Sequence, residues 1–428
     1  MSISLGAKDI RLRNFATANV ICIMLAVYKK TGMTTKVGLI CSEGEMWREH
    51  RRFTTSCLKS LGMVRLGERR QILGEKIRVA AHKCIKLLND QLSEDSLTPV
   101  DPVPAILHTL GNVVNTLVFG RQFAVDDPVW RWLQHLQEEG TKLIGVAGPL
   151  NFLPWLRFIP RYRQSINFLL DGKNNTHEIY RKWLKEDVDS GTTEGHVAGA
   201  YVTEMSRRPP GSEGSFTEPQ CLHVLADVFG ASVDTTMATI SWFVTLMAAN
   251  PSVQERVQAE IDAAVQARSA NYPELVDMSS CPFTEAAIAE TQRFRTVVPT
   301  GIPHGALEDC ELGGFVIHRN TMIIPLQWAV HTSPELWGPD SCEFNPERFL
   351  NADGRFSRPD YFIPFQTGKR TCLGEEFAKM ILFVYATNLL HRFSMKFADD
   401  TNMTDVLEGN CGITLNPKPY RLILTPRV

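Results

Sequence analysis

Residues 365–374 read Phe-Gln-Thr-Gly-Lys-Arg-Thr-Cys-Leu-Gly. A lone cysteine held among two glycines, two cations and a phenylalanine offers two chemistries. A thiolate is a nucleophile when a histidine stands beside it, and a soft ligand when a metal does. Nothing in the sequence marks a histidine as partner to Cys372. A helix expected from about Leu373 would aim its first backbone N–H groups at the sulfur, which favours the thiolate in either role.

Three further groups of residues have spacings that allow chemistry. In residues 229–236, Phe-Gly-Ala-Ser-Val-Asp-Thr-Thr, the small side chains of Gly230, Ala231 and Ser232 permit close approach of something bulky and flat. Asp234 and Thr235 follow them in an otherwise apolar stretch. A mid-helix threonine also bonds the carbonyl four residues back, here Ala231. Glu290 and Arg293 share a helix face at i,i+3, and Arg348, in a proline-defined turn, is a third charge that makes a network of the pair. Trp47 and Arg51 lie at i,i+4, an apolar surface and a cation suited to an anionic group.

Long helices must position these residues. Thr217 and Gln220 form a capping box, Pro219 fits the first turn, and Asn250-Pro251 is a stop. That frames about 32 residues, roughly 48 Å at 1.5 Å per residue. Residues 65–90 and 129–147 carry helical periodicity, while 313–317, 321–326 and 420–425 read as strands. Residues 189–195 and 207–214 read as loops. The expected fold is mainly α with a minor β part.

Several classes are set aside. The net charge is -2, so no nucleic-acid partner is indicated. Ten scattered cysteines, none spaced as Cys-x-x-Cys, exclude zinc-ribbon and thioredoxin patterns and read as reduced thiols. There is no phosphate-cradling GxxxxGK[ST] and no dinucleotide fingerprint. Gly230 to Asp234 lacks the second glycine of a hydrolase elbow and lies within a helix. The apolar run 16–28 has 13 residues against the about 20 of a membrane span, so a buried or interfacial helix is expected there.

A haem needs one axial ligand, apolar walls and cations for its propionates. Cys372 supplies the ligand, Phe365 a shield for the sulfur, Gly368 a tight turn, Arg370 a fork for a propionate, and Gly374 room beside the porphyrin. Phe365, Gly368, Arg370, Cys372 and Gly374 together satisfy FxxGxRxCxG, the pattern of the haem-thiolate monooxygenases, the cytochrome P-450 family. Trp47 and Arg51 resemble that family's propionate-binding helix. Residues 231–236 resemble its oxygen-binding stretch, and Glu290, Arg293 and Arg348 its buried triad. All occur in the family's order, from about Val37 to the C-terminus.

The resemblance implies the cytochrome P-450 fold, with a long central I helix over haem b. Cys372 is then the iron ligand. Thr235 and Asp234 are a proton-delivery pair beside Ala231, and Trp47, Arg51, Arg370 and His304 hold the propionates. Ser232, Val298, Thr300, Ile302, Gly412 and Ile413 line the substrate pocket. It further implies O2, a small lipophilic substrate, and electrons from NADPH through a membrane-bound reductase docking on a basic side that includes Lys369. Residues 152–160, 301–309 and 364–375 look like the microsomal animal branch, arthropod members above all. Hydroxylation of a steroid, such as an ecdysteroid-like precursor, or of a xenobiotic, at the cytosolic face of the endoplasmic reticulum membrane, is the expectation there.

Two features depart from the pattern. Ser232 stands where the family has glycine, and the membrane helix and early β-sheet of the microsomal branch are not legible before residue 38. The expected division is therefore an atypical or truncated segment 1–35 and a monooxygenase domain 36–428. If Ser232 or that segment disables catalysis, a haem protein without oxygenase activity results. A haem-thiolate isomerase, which needs no proton delivery, is the other alternative.

Overall fold

Thirteen helices form among the described residues, which in this computed structural model are 12–14, 37–92, 98–143, 153–208 and 214–427, and apolar residues recurring every three to four positions mark longer ones such as Gly44–Ser60 and Pro128–Leu143. They are α1 (Gly44–Ser60), α2 (Glu68–Asn89), α3 (Val103–Phe119), α4 (Pro128–Leu143), α5 (Pro160–Ser190), α6 (Val197–Ser206) and α7 (Glu218–Ala249). Then come α8 (Pro251–Ala267), α9 (Pro282–Phe294), α10 (Gln327–Thr332), α11 (Pro334–Trp337), α12 (Glu375–Arg392) and α13 (Met403–Glu408). Beyond strand β1 (Leu12–Asn14), the segment 1–35 and its apolar run lie outside the described residues.

The longest helix starts and stops as its end residues dictate. Thr217 Oγ1 accepts the Gln220 N–H at 3.4 Å, and Asn250 leaves helical geometry before Pro251. The capping box is only half formed. The Gln220 side chain does not return to Thr217; its Oε1 accepts from Gly38 N at 2.8 Å and its Nε2 donates to Gly38 O at 3.1 Å. A residue expected to close its own helix therefore ties the segment before α1 onto α7.

Helix α7 is buried along most of its length, since 20 of its 32 residues are buried, Trp242 and Phe243 among them. Helices α3 and α12 pack against it, and α2 packs on both. Gly111 of α3 admits the Trp130 indole of α4, whose ring occupies the place of a Cβ there. This interdigitation makes one continuous apolar core around α7.

The β part is small and peripheral. Strands β1, β2 (His304–Ala306) and β5 (Met322–Ile323) form an antiparallel sheet, with Leu12 opposite Ala306 and His304 opposite Ile323. An early strand thus joins the sheet where none was legible in the sequence; three residues carry too short an alternation to be read. Two hairpins pair β3 (Cys310–Leu312) with β4 (Phe315–Ile317), and β7 (Asn410–Cys411) with β8 (Leu415–Asn416). Strand β6 (Phe393–Phe397) pairs with β9 (Leu422–Pro426).

Candidate active site

The cysteine loop is shaped by its own backbone. Gly368 has φ +78, and a side chain there would meet nothing within 4 Å, so the glycine serves the turn and not a close contact. Gln366 is also left-handed, at φ +62. Cys372 N then donates to Phe365 O at 3.0 Å, closing the loop just before α12. The Gly374 N–H points back at Cys372. Burial pushes the Cys372 thiol up, while the Gly374 N–H and the Arg51 charge pull it down.

A cavity of about 320 Å³ opens between this loop and the middle of α7. Phe365, Arg370, Cys372 and Gly374 line one side of it, and Ala231, Ser232 and Thr235 the other. Trp47 and Arg51 of α1 complete the floor, and Val298 and Ile302 a wall. Of the substrate-wall candidates, Thr300, Gly412 and Ile413 are not among the lining residues. Thr300 Oγ1 is turned to Gly301 O at 3.3 Å, and a Cβ on Gly412 would stand 2.8 Å from Thr141 O at the end of α4.

The cations are crowded. Arg370 lies 3.9 Å from the Trp47 ring centroid and Arg51 lies 5.5 Å from the same ring. Arg51 Nη2 donates to Thr371 O at 2.7 Å, and Arg370 Nη2 to Ser42 O at 2.8 Å. Burial first, then the Arg51 charge, pushes Arg370 down to about 10. His304 is not a lining residue, yet its Nδ1 is buried without a hydrogen-bond partner, and burial and Arg370 both lower its pKa. Two half-buried cations thus stand near an imidazole whose Nδ1 has no hydrogen-bond partner.

On α7, Thr235 Oγ1 donates to Ala231 O at 2.7 Å and Ser232 Oγ to Val228 O at 2.6 Å. The Ser232 hydroxyl is thus engaged by its own helix. Asp234 departs from its expected place: its Oδ2 accepts from Thr414 Oγ1 at 2.7 Å, and it does not line the cavity. Residues 234 and 235 lie about 100° apart around a helix, so they cannot face the same side.

The charged triad is assembled away from the cavity. Arg293 bonds both Glu290 oxygens, at 2.6 and 2.7 Å, and donates to His331 O, Ser341 O and Glu343 O. Neither side chain of this pair is exposed at all. Arg348 joins at 3.6 Å from Glu290 Oε1, longer than a hydrogen bond, and gives its closer contacts to Trp337 O and Asp340.

Sequence reasoning missed Asp227, which lines the cavity one turn before Ala231. An acid in a run as apolar as Leu-Ala-Asp-Val-Phe at i−4 from a site residue was the available signal.

A profile of the cytochrome P450 family matches residues 23–424. Similar proteins include cytochrome P450 306a1 of Drosophila melanogaster, 35% identical over 97% of this chain and 79% of that protein. Cytochrome P450 18a1 of Drosophila melanogaster is 30% identical over 91% and 72%, and cytochrome P450 2D9 of Mus musculus 33% identical over 90% and 74%. The fold and site define a haem-thiolate oxidoreductase. The chain belongs to the cytochrome P450 family.

Haem b, the family's cofactor, fits this chain's residues. The thiol and the small side chains of α7 face each other across one cavity, and the Arg51 and Arg370 guanidiniums with the partnerless Nδ1 of His304 suit two carboxylates.

Proposed function

We propose that Cys372 would bind the haem iron and that Arg51 and Arg370, both close to the Trp47 ring, would hold the haem propionates with His304. One observation carries this assignment: Cys372 and the Ala231–Thr235 surface of α7 line the same cavity. Bound through a thiolate, haem activates O2 for insertion of one oxygen atom into a C–H bond of a lipophilic substrate. The chain's own residues do the rest. Burial raises the Cys372 thiol pKa, the Gly374 N–H and Arg51 work against that rise, and Phe365 lines the cavity beside it. Gly368 sets the turn, and Gly374 keeps the face beside the sulfur low: a Cβ there would lie 3.8 Å from Cys372 Sγ.

Thr235 presents its side chain to the cavity while its hydroxyl is held by Ala231 O, which places it to relay a proton. Apolar Leu39, Val298 and Ile302 keep bulk water away from it. The Ser232 hydroxyl donates to Val228 O of its own helix, and Thr235 is retained at the cavity, which favours an active monooxygenase over a haem protein that lost the reaction.

The substrate we favour is a steroid-like molecule, on the strength of the largely apolar lining and the arthropod look of residues 301–309. Electrons from NADPH would reach the enzyme through a reductase meeting the face of exposed Lys369 and Arg52. Association with the endoplasmic reticulum membrane is proposed from a different surface. No helix among the described residues is long and apolar enough to cross a membrane. However, Trp155, Phe158 and Ile159 are exposed just before Arg161 and Arg163, an apolar wedge with a basic rim suited to a lipid surface. Domain limits at 36–428 follow from the same reading.

The test is the reduced, carbon monoxide difference spectrum. A thiolate-type Soret band is expected from the wild type and none from Cys372→Ala. The same band from the variant would overturn the ligand assignment.

A further inference from the structure

The Asp234 carboxylate, expected behind Thr235 in a proton-delivery pair, is committed to the β7–β8 turn, and that turn reaches the cavity by another route. Asn416 Nδ2 donates to Thr414 Oγ1 at 3.0 Å, so the threonine's own proton is left for Asp234 Oδ2, 2.7 Å away. Thr414 is buried. Two turns further along α7, Trp242 Nε1 donates to Leu415 O at 2.8 Å. Helix α7 therefore grips the turn at consecutive residues from two points. On the turn's other side Leu415 N donates to Val297 O at 2.8 Å, and Val297 lines the cavity.

We infer that Asp234 is a positioning residue for substrate selection: by accepting the Thr414 hydroxyl it docks residues 410–416 on α7 and sets where Val297 stands in the cavity wall. The steps are all single contacts, Asp234 to Thr414, Leu415 to Val297, Val297 to the cavity. The turn has little freedom to adjust, because Gly412 lies against Thr141 O and Gly409 against the Trp242 ring, where side chains would meet atoms at 2.8 and 2.9 Å. Burial raises the Asp234 pKa and the Thr414 hydroxyl opposes that rise, in keeping with a carboxylate held by this one donor.

This inference rests on the haem-thiolate reading, which fails separately if the wild type shows no thiolate-type carbon monoxide band. Its own test compares holoenzymes of the wild type, Asp234→Ala, Asp234→Asn and Thr414→Val. Two measurements are made: amide hydrogen exchange of residues 410–416, and spectral titration with imidazole and with a phenylimidazole. In Asp234→Ala and Thr414→Val, exchange at Leu415 should rise roughly tenfold. Phenylimidazole, large enough to touch the wall, should bind about fivefold more weakly, with imidazole unaffected. Asparagine can still accept a hydroxyl through its amide oxygen, so Asp234→Asn should restore both readings. Wild-type exchange of 410–416 in Thr414→Val, or Asp234→Asn behaving as Asp234→Ala, overturns the proposal. If Asp234→Ala does not fold, Thr414→Val is read against Asn416→Ala, which loses only the Asn416 Nδ2 bond: equal changes in the two variants overturn the proposal.

Discussion

Asp227 Oδ2 accepts the backbone N–H of Leu39 at 2.6 Å, and the same oxygen takes the N–H of Ile40 at 2.9 Å. The acid sits so close to Gly38 that a side chain there would overlap its carboxylate. Leu39 and Ile40 line the cavity, and Arg370 Nη1 donates to Leu39 O at 3.3 Å. One acid on α7 thus fixes the segment that also engages a cavity cation.

That acid gives stability a pH slope. Burial raises Asp227 from 3.8 to about 6, against the two N–H groups. Between those values the folded chain binds more protons than the unfolded one, so this group makes stability fall as pH rises from about 4 to about 6. Asp227→Asn should remove that fall, worth up to about 3 kcal/mol. Thermal unfolding at pH 4.5 and 6.5 checks it: an unchanged slope in the variant contradicts the assignment.

Arg293 makes its five hydrogen bonds in full burial. Arg293→Lys cannot supply the fork, and leaves the Glu290 carboxylate and three carbonyls short of donors. A loss of about 3–5 kcal/mol is expected, seen as low soluble yield or a depressed Tm. Wild-type stability would show the network to be dispensable.

Thr235→Ala removes a hydroxyl from the cavity without disturbing the α7 backbone bonds. NADPH consumption should continue while product per NADPH falls about tenfold or more, within the usual range for one proton-transfer group. Equal coupling in variant and wild type would remove Thr235 from the proton path.

Reductase docking on Lys369 and Arg52 is screened by salt, since the Debye length falls from about 10 Å at 0.1 M to about 3 Å at 1 M. Stopped-flow reduction should slow as ionic strength rises, and Lys369→Glu should slow it further at low salt. Rates indifferent to both would place the partner elsewhere.

What the sequence determined by itself is the chemistry carried by short spacings. The loop around Cys372, the i,i+3 pair Glu290 and Arg293, the Trp47–Arg51 pair, and the Thr217 cap and Asn250 stop of α7 form as their residue types and separations require, because turn geometry and helical periodicity act over a few residues. Tertiary structure alone decided where the polar groups of α7 are spent. Gln220 leaves its own cap for Gly38, Asp227 takes Leu39 from 188 residues away, and Asp234 turns to Thr414 from 180 residues away. Helical phase puts neighbouring residues on different faces, and only the packed fold determines what each face meets.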